Sequence, residues 1–321
     1  MKNTLKPQRL LCGFFVKSKA MSQPTLIIVG GPTASGKTAL AIDIAKHYNT
    51  EIISADSRQC FREMNIGTAK PSEDELSQIK HHFINNLSVS EEVNAGLFCD
   101  YADQIITELS KTKRHIVVTG GTGLYIKALL EGLDDLPAIP EDFRNALKLE
   151  YLNKGLPFFT EELKQKDPTH YKNVDLNNPS RVLRAIELIR FTGTPYSSLI
   201  NKKAPAKKYN AINFCIDLPR ESLYERINLR VDKMIEKGLV REVESLKDYR
   251  NHSALRTVGY AELFDFFDGN STLENAIELI KQHSRNYAKR QLTWFKNQGE
   301  YKMIQPFLEE VLSHIESKIN V

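Results

Sequence analysis

Thr25-Leu-Ile-Ile-Val-Gly-Gly-Pro-Thr-Ala-Ser-Gly-Lys-Thr38 is the stretch that decides the fold. Its first half is a short apolar run that reads as a buried strand. Its second half, GPTASGKT, satisfies the phosphate-loop pattern G-x-x-x-x-G-K-[ST] at Gly31, Gly36, Lys37 and Thr38. The residues that follow, ALAIDIAKHY, have helical apolar spacing. Strand, glycine loop and helix thus come in the order that lets backbone N–H groups wrap phosphate oxygens at a helix N-terminus. Lys37 is placed to neutralise terminal phosphates, and the Thr38 hydroxyl to ligate Mg2+. Gly31, Pro32, Thr33, Ala34, Ser35, Gly36, Lys37 and Thr38 are therefore the candidate polyphosphate site. The pattern does not say which polyphosphate.

Around this stretch the chain has 321 residues, which allows roughly one to three domains. At 41% hydrophobic and 26% charged, its composition is that of an ordinary globular protein. No apolar run approaches the ~20 residues of a membrane-spanning helix, so an integral membrane protein of that kind is excluded. The net charge of +4 permits an anionic partner without demanding one. Cys12, Cys60, Cys99 and Cys215 lie far apart with no C-x-x-C pair, which suits reduced thiols in a cytoplasmic protein better than disulfides or zinc. Residues 1–22 combine basic residues with the short apolar patch LLCGFFV but close on no A-x-A-like site. They are expected to be a disordered extension, with Met21 a candidate start.

Further along, Glu51-Ile-Ile-Ser-Ala-Asp56 reads as a second strand that ends in a carboxylate. Ligands of α/β sheets collect at the carboxyl ends of strands, so Asp56 is expected near the phosphate loop if the two strands are neighbours. A turn or a helix cap is the other common use of such an Asp. Gly67–Pro71 reads as a loop, and His81-His82-Phe83 as the start of a short element; paired histidines without further ligands at metal spacing are usually structural. Tyr101–Leu109 has amphipathic helical spacing, and HIVVTG (115–120) reads as a third strand. It closes in Gly120-Gly-Thr-Gly123, followed by the helix LYIKALLEG. Alternating strands and helices predict an α/β fold: a parallel sheet of the phosphate-loop NTPase kind, flanked by helices. Thr122 is expected to line the site at the same sheet edge as Lys37 and Asp56.

From Leu136-Pro-Ala-Ile-Pro140 the texture changes to helical, polar segments. This predicts residues 23–138 as the first part of the core and 139–205 as a helical insertion. Residues 206–321 then complete the core with C-terminal helices. Within the insertion Arg144 lies on a predicted helix, and Arg181 and Arg184 share the face of another. NFCIDLP (213–219) looks like a return to the sheet. The helix predicted over 221–237 carries Arg226, Arg230, Lys233 and Lys237 on one face. A long helix over 274–298 carries Lys281, Arg285, Lys289 and Lys296, with Tyr287, Trp294 and Phe295 interleaved. Cations with aromatics suit a nucleic-acid backbone, although helical aromatics also serve as core.

The strand HIVV ends in Thr119 and glycines rather than in a metal-binding Asp, which argues against a hydrolytic NTPase. No N-K-x-D guanine-selecting pattern is present. A small-molecule phosphate-loop kinase, with Asp56 deprotonating an acceptor hydroxyl, remains a reading of these residues. So does an NTP-dependent nucleic-acid-binding switch.

The blocks GPTASGKT, ISADSRQ (53–59), IGTAKP (66–71), GGTGLYI (120–126) and AKRQLTWF (288–295), in this order, resemble the tRNA dimethylallyltransferase (isopentenyltransferase) family. The resemblance covers about residues 25–300. It implies transfer of a dimethylallyl group from dimethylallyl diphosphate to the exocyclic N6 amine of the adenine adjacent to the anticodon, in tRNAs that read U-starting codons. It also implies Mg2+ and no ATP hydrolysis during transfer, in a cytoplasmic, monomeric enzyme whose partners are the tRNA anticodon stem-loop and the donor. Asp56 is then the base that accepts the amine proton, with Thr122 and Arg226 as further catalytic residues. Arg226, with Arg230 as companion, matches a diphosphate-holding position. Positions matching tRNA contacts are Asp56, Ser57, Arg58 and Gln59; Thr122; Arg144; Ser180, Arg181, Val182, Leu183 and Arg184; and Arg256, Thr257, Val258, Gly259, Tyr260 and Ala261. The chain departs from the family at Cys60-Phe61, where Val-Tyr is common, and at Glu63, a frequent glycine; both are expected to alter the pocket wall. It lacks the zinc-finger tail of eukaryotic relatives, which points to the bacterial or organellar type.

Overall fold

The computed structural model describes residues 23–200 and 209–319. The expectations for residues 1–22 and for the border at 205 lie outside the described residues. Thr25–Gly30 forms the first strand, β1, and Leu26, Ile27, Ile28 and Val29 are all fully buried. After it come α1 (Lys37–His47), β2 (Ile52–Ser54), α2 (Glu73–Gln78), β3 (His81–His82), α3 (Ala95–Leu109), β4 (His115–Gly120) and α4 (Gly123–Glu131). Four helices follow: α5 (Glu141–Lys166), α6 (Pro168–Tyr171), α7 (Pro179–Thr192) and α8 (Tyr196–Leu199). β5 (Asn210–Ile216) returns to the sheet. Then come α9 (Arg220–Glu236), α10 (Leu239–Ser245), α11 (Ala261–Phe267), α12 (Leu273–Asn297), β6 (Lys302–Ile304) and α13 (Leu308–Ile319).

The six strands form one parallel sheet in the order β3-β2-β4-β1-β5-β6. Side chains alternate across a strand, so an all-apolar strand needs a cover on both faces. Leu26 and Ile28 enter the layer containing Phe98 of α3, Ile126 of α4, and Ile280 and Phe295 of α12. Ile27 and Val29 enter the opposite layer with Leu40 and Ile44 of α1 and Val311 and Ile315 of α13. Each such side chain is worth about 1.5–3 kcal/mol relative to exposure.

The strand order corrects one expectation. β2 and β1 are not neighbours, because β4 lies between them. HIVVTG is also the fourth strand, not the third. His81–His82 forms the short edge strand β3, held by His82 Nε2 against Glu51 Oε2 at 2.5 Å.

The helices α5 and α7 bury Leu147, Phe159 and Leu163 against Val182, Ala185, Ile186 and Ile189, in a cluster separate from the two sheet layers. α7 starts at Asn178, whose side chain accepts the Arg181 N–H at 3.3 Å, with Pro179 in the first turn. It ends at Gly193 in the left-handed conformation. α5 breaks at Gly155 (φ 73°), two residues before Pro157, which has no N–H to donate to the helix ladder.

Candidate active site

The carboxyl ends of the strands open into one cleft of about 1820 Å³. The phosphate loop forms its floor, with Thr33, Ala34, Ser35, Gly36, Lys37 and Thr38 all on the wall. Gly36 takes the left-handed conformation (φ 97°) that turns the loop into α1. Lys37 Nζ donates to the Pro32 carbonyl at 2.6 Å. Burial, and then the nearby Arg230 guanidinium, push its pKa down to about 8, against the pull of Asp56. Ser35 Oγ is buried with no hydrogen-bond partner among the described residues. A cradle with an orphaned hydroxyl and a lysine destabilised in its charged form is suited to receive an anion.

The basic face expected on the helix after β5 lines this cleft. Arg226, Arg230 and Lys233 of α9 and Lys237, which caps it, all border it. Arg226 Nη1 donates to the Ser35 carbonyl at 3.3 Å, and Arg230 Nη2 to the Thr68 carbonyl at 3.5 Å. Burial lowers the pKa of Arg230 in spite of Asp56 nearby. Among the described residues no ion pair engages Lys37, Arg226 or Arg230. Their hydrogen-bond partners are carbonyl oxygens, so their charge is available to a ligand.

Asp56 to Gln59 form the opposite wall. Asp56 Oδ1 accepts the N–H groups of Arg58 (2.9 Å) and Gln59 (3.2 Å), and its hydrogen bonds among the described residues fall on this one oxygen. Asp56 therefore serves the turn while its other oxygen stays available. Gln59 accepts from Ser54 Oγ at 3.3 Å and donates to the carbonyls of Thr68 and Ala69 at 3.4 and 3.3 Å. The 66–71 loop is thereby tied to the same wall.

Thr122 is placed differently from expectation. It is not among the cleft-lining residues; its Oγ1 accepts the Ser57 N–H at 3.1 Å and donates to Ser57 Oγ at 3.3 Å. It braces the wall from behind. Gly31 and Pro32 are likewise buried beneath the loop.

The segments expected at tRNA divide in two. Arg256, Thr257, Val258, Gly259 and Ala261 border the cleft beside Asp56–Gln59. Tyr260 does not: it is fully buried, and its hydroxyl donates to Glu242 Oε1 at 2.7 Å. Arg144 and Ser180 to Arg184 lie outside the cleft, on α5 and α7. There Ser180 and Arg181 are exposed, Leu183 is half-buried, and Val182 is part of the helical core. The side chains of Val182 and Tyr260 are packed away from the surface. Glu187, only 8% exposed, receives Arg144 Nε at 2.8 Å and Arg184 Nη1 at 2.5 Å.

The cation-and-aromatic stripe over 274–298 is divided: Tyr287 lines the cleft, while other members are structural. Phe295 is core and Trp294 packs against it. Lys281 pairs with Asp232, Lys296 pairs with Asp217, and Arg285 donates to Asn228. These cations tie α12 to α9 and to the segment after β5. The departures from the family pattern do not reach the cleft. Cys60 and Phe61 are fully buried, and Glu63 accepts from Ser88 Oγ and the Val89 N–H. Burial pushes the Cys60 thiol up to about 12, so it is inert at neutral pH.

Arg290, Gln291 and Glu242 escaped the sequence, whereas Tyr287 was already one of the aromatics of the stripe. Tyr287 and Arg290 of α12 line the cleft, and burial together with the charge of Asp56 raises the Tyr287 hydroxyl pKa. Glu242 of α10 gathers the N–H groups of Asn65, Ile66 and Gly67 at 2.7–3.0 Å, fixing the loop that meets Gln59 and Arg230. Gln291 joins two loops at the cleft base. Tyr287, Arg290 and Gln291 fall in or beside the AKRQLTWF block; for Glu242 no local signal exists.

Among the described residues no group of three or more His, Cys, Asp or Glu could hold a metal ion. Mg2+ characteristically keeps several waters and takes one or two protein oxygens plus substrate phosphates. A lone Thr38 hydroxyl on the wall of a polyphosphate cradle fits that habit. Among the described residues no helix is long and apolar enough to cross a membrane.

A parallel sheet with a phosphate loop, unpaired cations and a carboxylate converging at its carboxyl edge defines a phosphate-loop group-transfer enzyme. The comparisons are more specific. The sequence profile of the IPP transferase family matches residues 59–298. The tRNA dimethylallyltransferase of Cytophaga hutchinsonii is 46% identical over 92% of this chain and 97% of its own length. That of Christiangramia forsetii is 45% identical over 92% and 98%. The crystal structure of the tRNA isopentenylpyrophosphate transferase of Bacillus halodurans superposes with a TM-score of 0.68 at 36% identity, covering 92% of this chain and 95% of that one. A eukaryotic dimethylallyltransferase caught acting on tRNA gives 0.74 at 25% identity, covering 88% and 74%. The chain belongs to the IPP transferase family.

Proposed function

We propose that this cleft transfers a dimethylallyl group from dimethylallyl diphosphate to N6 of the adenine adjacent to the anticodon, in tRNAs reading U-starting codons. The product is N6-(dimethylallyl)adenosine. The observation that carries this reading is the meeting, in one cleft, of an anion cradle with free cations and an acidic turn that can hold a base.

The allylic carbon–oxygen bond breaks as the diphosphate leaves, and the same carbon bonds to N6. Departure is eased by stabilising the developing charge, which Lys37, Arg226, Arg230 and the loop N–H groups are arranged to do. Mg2+ held through Thr38 would supply further neutralisation of the diphosphate. The adenine amine is a weak nucleophile because its lone pair is delocalised into the ring. Asp56 takes the proton that N6 sheds, a contribution of about 10²–10⁴-fold. The base must leave the anticodon stack to reach this depth, and Ser57, Arg58 and Gln59 line the wall it would meet. Thr122 supports Ser57 in that wall. The rim at 256–261, the exposed Arg181 and the edges of Arg144 and Arg184 left open by Glu187 give the anticodon stem-loop its backbone contacts. The enzyme works as a monomer in the cytoplasm.

Incubation with labelled dimethylallyl diphosphate, Mg2+ and unmodified tRNA, followed by nucleoside analysis, tests the proposal. Label in N6-(dimethylallyl)adenosine is expected. Unmodified tRNA together with phosphorylation of a small metabolite from ATP would instead establish the kinase reading.

A further inference from the structure

The AKRQLTWF block contains one polar residue, Gln291, that none of the steps above employs. It lies on α12 and is only 7% exposed. Its Oε1 accepts the Thr33 N–H at 2.9 Å, and its Nε2 donates to the Gly121 carbonyl at 2.9 Å. That amide orientation is the one that satisfies both partners. Thr33 belongs to the donor cradle. Gly121 precedes Thr122, whose hydroxyl holds Ser57 and whose N–H donates to the Ala55 carbonyl at 3.2 Å.

The location of the bridge is informative. The ladder between β1 and β4 ends at the pair Gly30–Gly120. Beyond it the two segments separate into the cradle and the turn, and among the described residues no further backbone hydrogen bond joins them. The Gln291 side chain supplies an amide of its own there, accepting from one chain and donating to the other as a peptide group would. Position 121 leaves room for it, since a Cβ there would lie 2.1 Å from Gln291 Nε2.

We propose that Gln291 is a positioning residue that fixes the distance between the diphosphate cradle and the turn behind the adenine-facing wall. This rests on the transferase reading above. Displacement of reacting atoms by about 1 Å can cost 10²-fold in rate without loss of binding. Gln291→Leu keeps the bulk and removes both hydrogen bonds. Gln291→Glu keeps the acceptor for Thr33 but turns a carboxylate oxygen toward the Gly121 carbonyl.

The experiment is single-turnover transfer at saturating donor and tRNA, with separate dissociation constants for Mg2+-diphosphate and for tRNA. For both variants the rate should fall by about 10- to 100-fold, while both constants stay within about threefold of wild type. A leucine variant as fast as wild type overturns the inference. So does a loss that added donor restores, because Gln291 would then only shape the cradle. Should the leucine variant not fold, the isosteric glutamate variant carries the same comparison. Wild-type enzyme that forms no prenylated adenosine would strike the reaction itself; active wild type matched by the variants strikes Gln291 alone.

Discussion

The cations of the cleft and those of the helical insertion are held in opposite ways. In the cleft, Lys37, Arg226 and Arg230 rest on carbonyl oxygens of Pro32, Ser35 and Thr68. In the insertion, Arg144 and Arg184 share the carboxylate of Glu187, and Arg190 is clasped by Glu150 and Glu162. A carbonyl offers a partial charge and a carboxylate a full one, so the first group keeps its positive field and the second largely cancels it. The cleft is unfavourable until an anion enters, as the depressed pKa of Lys37 records. The insertion is self-sufficient, and its arginines can offer a phosphate only the edges not already engaged. The pairing also holds α5 to α7, so a residue type expected to grip RNA doubles as mortar.

Asp56→Asn should have the largest effect on this contrast. It keeps the Oδ1 acceptor for Arg58 and Gln59 but cannot take a proton. Single-turnover transfer should fall by about 10²–10⁴-fold with donor affinity unchanged, and unaltered transfer would remove Asp56 as the base.

Lys37→Ala comes next. Loss of a charge-assisted contact of about 1.5–3 kcal/mol should raise the dissociation constant of Mg2+-diphosphate by about 10- to 100-fold. Titration calorimetry across pH sharpens this. Free Lys37 loses its proton near pH 8, so wild-type affinity should weaken above that value by an amount that the alanine variant does not show. The sign for stability is the reverse. Between about pH 8 and 10.5 the unfolded chain holds a proton that the folded one has shed, so the contribution of Lys37 to stability rises with pH across that window. A wild-type affinity profile with the same slope as the variant's would place the critical charge elsewhere.

Glu187→Gln tests the other half. Weakening two arginine contacts of a buried carboxylate should cost about 1–3 kcal/mol, seen as a lower denaturation midpoint, with diphosphate affinity untouched. No loss would mean that the arginines simply rehydrate, which their 38% and 37% side-chain exposure permits in part. Arg181→Glu should be the smallest effect. Arg181 is exposed on the free face of α7, so tRNA affinity should drop several-fold and the slope of log K against log salt should shrink by about one. If neither moves, that face is merely solvated.

What could be read beforehand followed from local order. The phosphate loop, its strand and its helix are contiguous, and the burial of Leu26–Val29 on both faces of the sheet is written in four consecutive apolar residues. The basic face of α9 was legible because Arg226, Arg230, Lys233 and Lys237 keep helical spacing. Strand order was not: nothing local to EIISAD says that β4 will come between it and β1. Orientation of α12 was equally hidden, since a helix with cations on one side and aromatics between them fits both an RNA surface and a core. Tertiary contacts divide it: Phe295 is core and Lys281 pairs with Asp232, whereas Tyr287 and Arg290 face the cleft. The burial of Tyr260 and Val182 was not legible, because a block that resembles a ligand contact mixes surface residues with residues that anchor the block. Glu242 acts across about 175 residues of sequence, and such a contact leaves no periodic trace.

The central strand has a consequence for redesign. Gly120, at the end of β4, backs onto Ala55 so closely that a methyl group there would lie 2.1 Å from a carbonyl oxygen. The end of β4 and the residue after β2 thus meet backbone against backbone, with no side chain between them. Anyone wishing to admit bulkier substrates has nothing to trim at that joint and must work on cleft-lining side chains, along α9 or the 256–261 loop.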